Sequence, residues 1–250
     1  MKKRITSFLL LIVFVFILSS CKNIRYIQGE GEVITKEKAL NNDTSLVVEN
    51  IFILNDDETI NPVNVNIHFD LTKKIAITAQ ESILDYIQID ETLGILTIFS
   101  ESNIQFRTGD ITIDIYGCSF TNITANLSVV TCNTFASNFT LNLKKASRFI
   151  SDSINTKSLS ATLDYSCQLD VKRMRLTDFS MVLSNKSKAN IDNLKSQNLN
   201  IQSSGALCNI VASSIEVNSK YNLTGNSSLS VSGTSTTMDV TITGCSSYFG

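Results

Sequence analysis

The sequence predicts an all-β chain whose C-terminal half winds into a single-stranded parallel β-helix, a solenoid with repeats of about 20 residues. Three observations carry this. Short runs alternate apolar and polar residues, the period of a strand with one buried face. From about residue 135 these runs recur at a constant spacing of 20 residues. The composition also favours strands joined by polar turns: 43% of residues are hydrophobic, yet there is one Pro, no Trp and only 10 Gly, while Ser, Thr, Asn and β-branched residues are abundant.

The repeat is read position by position. Phe139, Leu159, Phe179 and Leu199 are equivalent, as are Leu141, Ala161, Met181 and Ile201. Leu143, Leu163 and Leu183 follow, with Ser203 breaking the set. After a polar gap come Phe149, Leu169 and Ala189, then Val171, Ile191 and Val211, and each unit closes with Ile154, Met174 or Leu194. Stacked coils place equivalent residues about 4.8 Å apart, so each set becomes an internal ladder. After residue 212 the period is expected to shift, with Ile215 and Val217 taking the places of Leu199 and Ile201. Leu229, Val231, Met238, Val240 and Ile242 continue the alternation, and Tyr248 and Phe249 are expected to cap the last rung. Asp152, Lys172 and Asp192 also fall 20 apart, on the outer side, as a ladder of alternating charge. An antiparallel sandwich with evenly spaced strands is the competing fold.

Residues 33–116 alternate without this period. Runs such as Val65–Phe69, Ile95–Ile98 and Ile111–Ile115 read as a first sheet leading into the solenoid, and 82–86 as one helical turn. The segment 55–64, with the single proline, reads as an elongated loop.

The N-terminus carries an export signal. Lys2, Lys3 and Arg4 precede an apolar run of eleven residues, Phe8 to Leu18, too short for the roughly 20 residues that span a bilayer. Leu18-Ser19-Ser20-Cys21 then resembles the lipobox of bacterial lipoproteins. That resemblance implies cleavage after residue 20 and lipid attachment at Cys21. The expected organisation is a signal peptide over 1–20, a lipid-anchored tether over 21–32 with turns at Gly29 and Gly31, and a body over 33–250. A tether of that length reaches at most about 35–40 Å, which holds the body near the membrane. Lys22 is not the aspartate that favours inner-membrane retention in some bacteria, which points to the outer membrane.

Losing the leader leaves 18 Lys+Arg against 23 Asp+Glu, a net charge of −5. An acidic chain is poorly suited to nucleic acid, whose binding rests on clustered Lys and Arg. With Cys21 lipidated, Cys118, Cys132, Cys167, Cys208 and Cys245 remain. Five cannot all pair within one chain, and none forms a C-x-x-C. They read as small buried hydrophobes, with one disulfide still open.

Catalytic motifs are weak. His68, the single histidine, lies in an alternating strand without an obvious triad partner. Asp110 and Asp114 are four apart, and Asp164, Asp170 and Asp178 fall on different rungs. The run Asp56-Asp57-Glu58 does not match an EF-hand. No phosphate-binding glycine loop or nucleophile elbow occurs, and no cofactor or metal is expected.

The residues also resemble a known family. Gly29-Glu30-Gly31-Glu32-Val33-Ile34-Thr35-Lys36-Glu37, then Ile83-Leu84-Asp85-Tyr86-Ile87 followed by Gly94-Ile95-Leu96-Thr97-Ile98, and the short β repeats after residue 108 are similar to the auto-transporter adhesin, head-GIN domain family of exported bacterial proteins. The resemblance spans most of 27–245. It implies a right-handed parallel β-helix with an adhesion or surface role and brings no catalytic residues. The family's Gly-Ser-Gly turns are reduced here to Ser204-Gly205, Gly225, Gly233 and Gly244, with Asn and Ser elsewhere, as at Ser184-Asn185. The expected function is therefore a membrane-anchored, non-enzymatic envelope protein for adhesion, scaffolding or ligand binding, with glycans or envelope proteins as partners. A polysaccharide lyase or hydrolase on the same scaffold is the alternative.

Overall fold

The computed structural model describes residues 24–133, 136–232, 235–244 and 246–249; within these, nothing is said of the side chains of 208–217. The leader 1–20, Cys21 and Cys245 lie outside the described residues. The chain is a right-handed parallel β-helix, nearly all strand. Its coils have three faces, and every apolar ladder points into one continuous core.

The expected 20-residue columns are present. Asn138–Lys144 pairs in parallel with Ser158–Leu163, which places Phe139 on Leu159, Leu141 on Ala161 and Leu143 on Leu163. The next two rungs continue this onto Phe179, Met181 and Leu183, then Leu199, Ile201 and Ser203. The second face stacks Phe149, Leu169 and Ala189. The short third face stacks Ile154, Met174 and Leu194. Leu141, Leu143, Leu163, Leu169, Met181 and Ile201 are fully buried.

The period does not shift after 212 as expected. One residue is lost on the second face, where Ala189 pairs with Cys208 and Ile191 with Ile210, not Val211. It is regained at bulges around the third face, and Leu199 then pairs with Ser219, Ile201 with Tyr221 and Ser203 with Leu223. Ile215 pairs instead with Ser196. Apolar alternation at 215 and 217 misled because a small Ser219 and a large Tyr221, both buried, keep the register less visibly.

The first half is not a separate sheet. Ser45–Glu49 lies between Ile95–Phe99 and Asn122–Asn126, parallel to both. Likewise 63–67 lies between Thr112–Tyr116 and Ser128–Cys132. After an opening strand at the outer edge of the first rung, the chain builds the second rung and the end cover, returns through the first rung and skips to the third. The segment 55–64 is no long loop: Phe52–Leu54 pairs antiparallel with the start of Ile60–His68, and Pro62 opposes Phe52. Proline is tolerated there because the pairing is an edge one.

The tether is also shorter than expected. Arg25–Gln28 pairs in parallel with Ile104–Arg107 and buries Ile27, so the folded body includes these residues. Gly29 permits this docking, because a Cβ there would sit 2.7 Å from the Thr108 carbonyl oxygen.

The N-terminal end of the solenoid is closed. Antiparallel strands Gln88–Thr92 and Val33–Ala39, the latter through Lys74–Gln80, cover its edges. The helical turn Glu81–Leu84 buries Ile83 and Leu84 over the core. Such covers keep unpaired backbone from water and from other chains. At the far end, Tyr248 stacks on Tyr221 at 5.6 Å. Phe249, expected to help, is 62% exposed.

The corners between first and second faces use left-handed backbone. Lys145-Ala146, Tyr165-Ser166 and Asn185-Lys186 each hold two consecutive positive-φ residues, and Gly205, Gly225 and Gly244 continue the line. Beneath them runs a buried column of Ser147, Cys167, Ser187, Ala206 and Ser227. The Ser147 hydroxyl and Cys167 thiol donate to the carbonyls of Lys144 and Asp164, three residues earlier. Cys167 therefore stands in a serine ladder.

Two predictions follow from this packing. Leu163→Asp places an unpaired charge in the core and should cost about 4 kcal/mol or more, whereas Lys172→Ala on the outer side should leave the chemical denaturation midpoint unchanged. Ala146→Gly relieves a positive φ of 58° and should stabilise by about 0.5–1 kcal/mol, the left-handed strain less the added chain entropy. A lower melting temperature for this glycine variant would refute the strain.

Candidate functional site

The expected lipid attachment residue, Cys21, lies outside the described residues. Within the described body, the candidate functional features are the outer ladders, because strand alternation sends every second residue outward on each rung.

On the first face, Asn138, Ser158, Asp178, Asn198 and Asn218 form one outward column. Ser158 donates to Asn138 at 2.8 Å, Asn198 to Asp178 at 2.7 Å, and Asn218 to Asn198 at 3.3 Å. A groove of about 450 Å³ runs along this column, with Thr140, Ser160, Ser180 and Asn200 as its second wall. Two smaller adjoining grooves lie on the third face and share Asn155, Arg175 and Lys195. A fourth lies over the corner residues Tyr165, Asn185, Lys186 and Gly205. The charge ladder is formed as expected: Lys172 Nζ is 2.7 Å from Asp152 Oδ1, and Asp192 adds to the field that raises the lysine pKa.

The structure does not bring the sequence-selected carboxylates together. Asp164 sits at a corner, where hydrogen bonds led by Ser184 at 2.5 Å hold its pKa low. Asp170 is desolvated, but donors from Asn190, Gln168 and Arg148, the last at 2.6 Å, outweigh that effect and keep it low. Asp178 belongs to the first-face column. Asp110 precedes its strand, while Asp114 accepts from Asn66 at 3.0 Å and lies 2.8 Å from His68 Nε2. The His68 ring points outward and stacks on Tyr116 at 4.7 Å. In the acidic loop, Asp57 turns inward to its own backbone and accepts from Thr59. Among the described residues no group of three or more His, Cys, Asp or Glu has the geometry to hold a metal ion.

Cys118, Cys132 and Cys167 are buried. Cys118 and Cys167 are free thiols, and burial pushes both thiol pKa values up, so they behave as small core residues. Cys208 and Cys245 fall where side chains are not described.

Sequence reasoning missed one cluster at the closed end. Glu91 accepts from the Asn41 amide at 2.7 Å and from Lys38 Nζ at 2.9 Å. Asp43, 6% exposed, hydrogen-bonds the same glutamate. Burial, then the neighbouring Glu91 carboxylate, raises the Asp43 pKa. These residues are 48 apart in sequence and share no motif; only the antiparallel cover joins them. None of the four grooves is lined by them.

A repeat-built parallel β-helix whose outer surface is a set of polar ladders defines the class, a β-solenoid. The chain belongs to the family described as "Putative auto-transporter adhesin, head GIN domain", whose sequence profile matches residues 58–221. Solved structures share the fold. A "putative adhesin" from Bacteroides fragilis aligns with a TM-score of 0.62 at 15% identity, covering 89% of this chain and 98% of that one. A "putative adhesin" from Parabacteroides distasonis aligns at 0.56 and 14% identity, covering 86% and 100%. A "Putative lipid binding protein" from the same species aligns at 0.54 and 15% identity, covering 87% and 100%. A comparison with curated proteins returns no match. Among the described residues no helix is long and apolar enough to cross a membrane.

The raised Asp43 pKa gives a pH-dependent prediction. Its pKa is raised on folding, so its stabilising contribution is full below the usual value of 3.8 and is lost as pH rises through the higher folded value. Asp43→Asn supplies a permanent donor to Glu91. It should raise the melting temperature more at pH 8 than at pH 4, and an equal change at both would refute the raised pKa.

Proposed function

We propose that this protein is a lipid-anchored envelope protein whose β-helix binds a partner or ligand without transforming it, in adhesion or scaffolding. The observation that carries the reading is the outer surface: hydrogen-bonded Asn, Ser and Asp ladders repeat rung after rung. Such a surface suits broad, weak polar contacts with glycans or another envelope protein. The separation of Asp164, Asp170 and Asp178 into different ladders argues in the same direction, since glycoside hydrolysis needs two converging carboxylates. Membership of an adhesin-type family supports an envelope or extracellular setting. Lipid on Cys21 is the anchor, and Lys22 favours the outer membrane. Because Arg25–Gln28 already belongs to the fold, lipid on Cys21 would hold the body close to the membrane.

Cys21→Ser tests the anchor: the protein should leave the membrane fraction or keep its leader. Processing and fractionation like the wild type would disprove lipidation. The binding reading is tested on the full-length chain in detergent, screened against plant and bacterial polysaccharides for new reducing or unsaturated ends. No product is expected, and turnover would establish the enzymatic alternative.

A further inference from the structure

Several cations on this solenoid answer an acid on a neighbouring strand. Arg148 meets Asp170 at 2.6 Å, Lys172 meets Asp152 at 2.7 Å, and Lys74 meets Glu37 at 2.8 Å. The third face breaks the pattern. Arg175 pairs in register with Lys195 on the next rung, and Asn155 precedes Arg175 in the same column. Neighbouring strands lie about 4.8 Å apart, so two like charges are stacked, an arrangement that costs stability. Lys157 and Arg173, each two residues from this column, face outward beside it and are exposed. No carboxylate lines either adjoining groove. This is a concentrated positive strip on a mature chain of net charge −5.

We infer that this strip binds an acidic glycan chain, one bearing carboxylate or sulfate groups at regular intervals. The inference rests on the reading of the body as a binding module and names its ligand class. Arg175 offers a planar fork for bidentate contact with a carboxylate or sulfate, and Lys195 a second charge one rung along. A polymer lying along the solenoid axis meets both in succession. Asn155, Thr177 and Gln197 beside them supply donors and acceptors for sugar hydroxyls. The apolar residues of these grooves, Ile154, Met174 and Leu176, are buried core members, so the strip offers polar contacts rather than an apolar face for insertion into lipid.

The test uses the full-length chain in non-ionic detergent, titrated with polygalacturonate, chondroitin sulfate, neutral dextran and short-chain phosphatidylglycerol. Binding of at least one acidic polymer, absent for dextran and weakened by salt, is expected. The double substitution Arg175→Ala, Lys195→Ala should weaken it at least about tenfold. Lys172→Ala, which removes an already paired charge, should change it less than about twofold. The double variant should melt no lower than wild type, since it removes a repulsion. Equal affinity in the double variant, dextran binding as well as the acidic polymers, or retention of the phospholipid alone would each overturn the inference and leave the binding reading standing. Depolymerisation of the bound polymer would overturn both.

Discussion

The structure depends on one constraint: each coil leaves a full row of backbone donors and acceptors unpaired until another coil lies against it in parallel register. Stacking satisfies those rows and aligns like with like. Leu96, Leu46, Ile123, Leu141, Ala161, Met181 and Ile201 thereby become a single internal column. The same alignment puts polar residues above polar residues outside. Internal packing and external ladders are two consequences of one hydrogen-bond register.

The ends and corners show where that register is costly. The N-terminal coil would expose its edge, and the chain closes it with antiparallel strands and a helical turn that buries Ile83. This cover carries the Lys38–Glu91 pair and the buried Asp43. The corners demand left-handed backbone on every rung. Glycine takes it at 205, 225 and 244, while earlier rungs accept it at residues such as Ala146 and Tyr165. The serine-like column beneath, with Cys167 in a serine's place, ties corners down at Ser147, Cys167 and Ser227, each donating to the carbonyl three residues earlier.

Function lies on the outside of this scaffold. Part of the external charge is paired rung to rung, as at Lys172–Asp152 and Arg148–Asp170. Against that background the uncompensated Arg175 and Lys195 stand out, because the fold itself gains nothing from stacking them.

The sequence alone determined the solenoid's C-terminal half, because consecutive coils stack there and spatial neighbours fall 20 residues apart. Inward Leu163 and outward Lys172 were legible for that reason, and so was the ladder with Asp152. The proposed leader and lipid attachment at Cys21 rest on local sequence chemistry alone. Only the tertiary structure decided the first half. There, 45–49 lies between 95–99 and 122–126, so stacked strands are not consecutive and no period survives in the sequence. The same holds for Arg25–Gln28, which looked like tether until its strand partner appeared. It holds also for the Asp43–Glu91 pair and the positive strip, since register across strands, not spacing along the chain, places charges side by side.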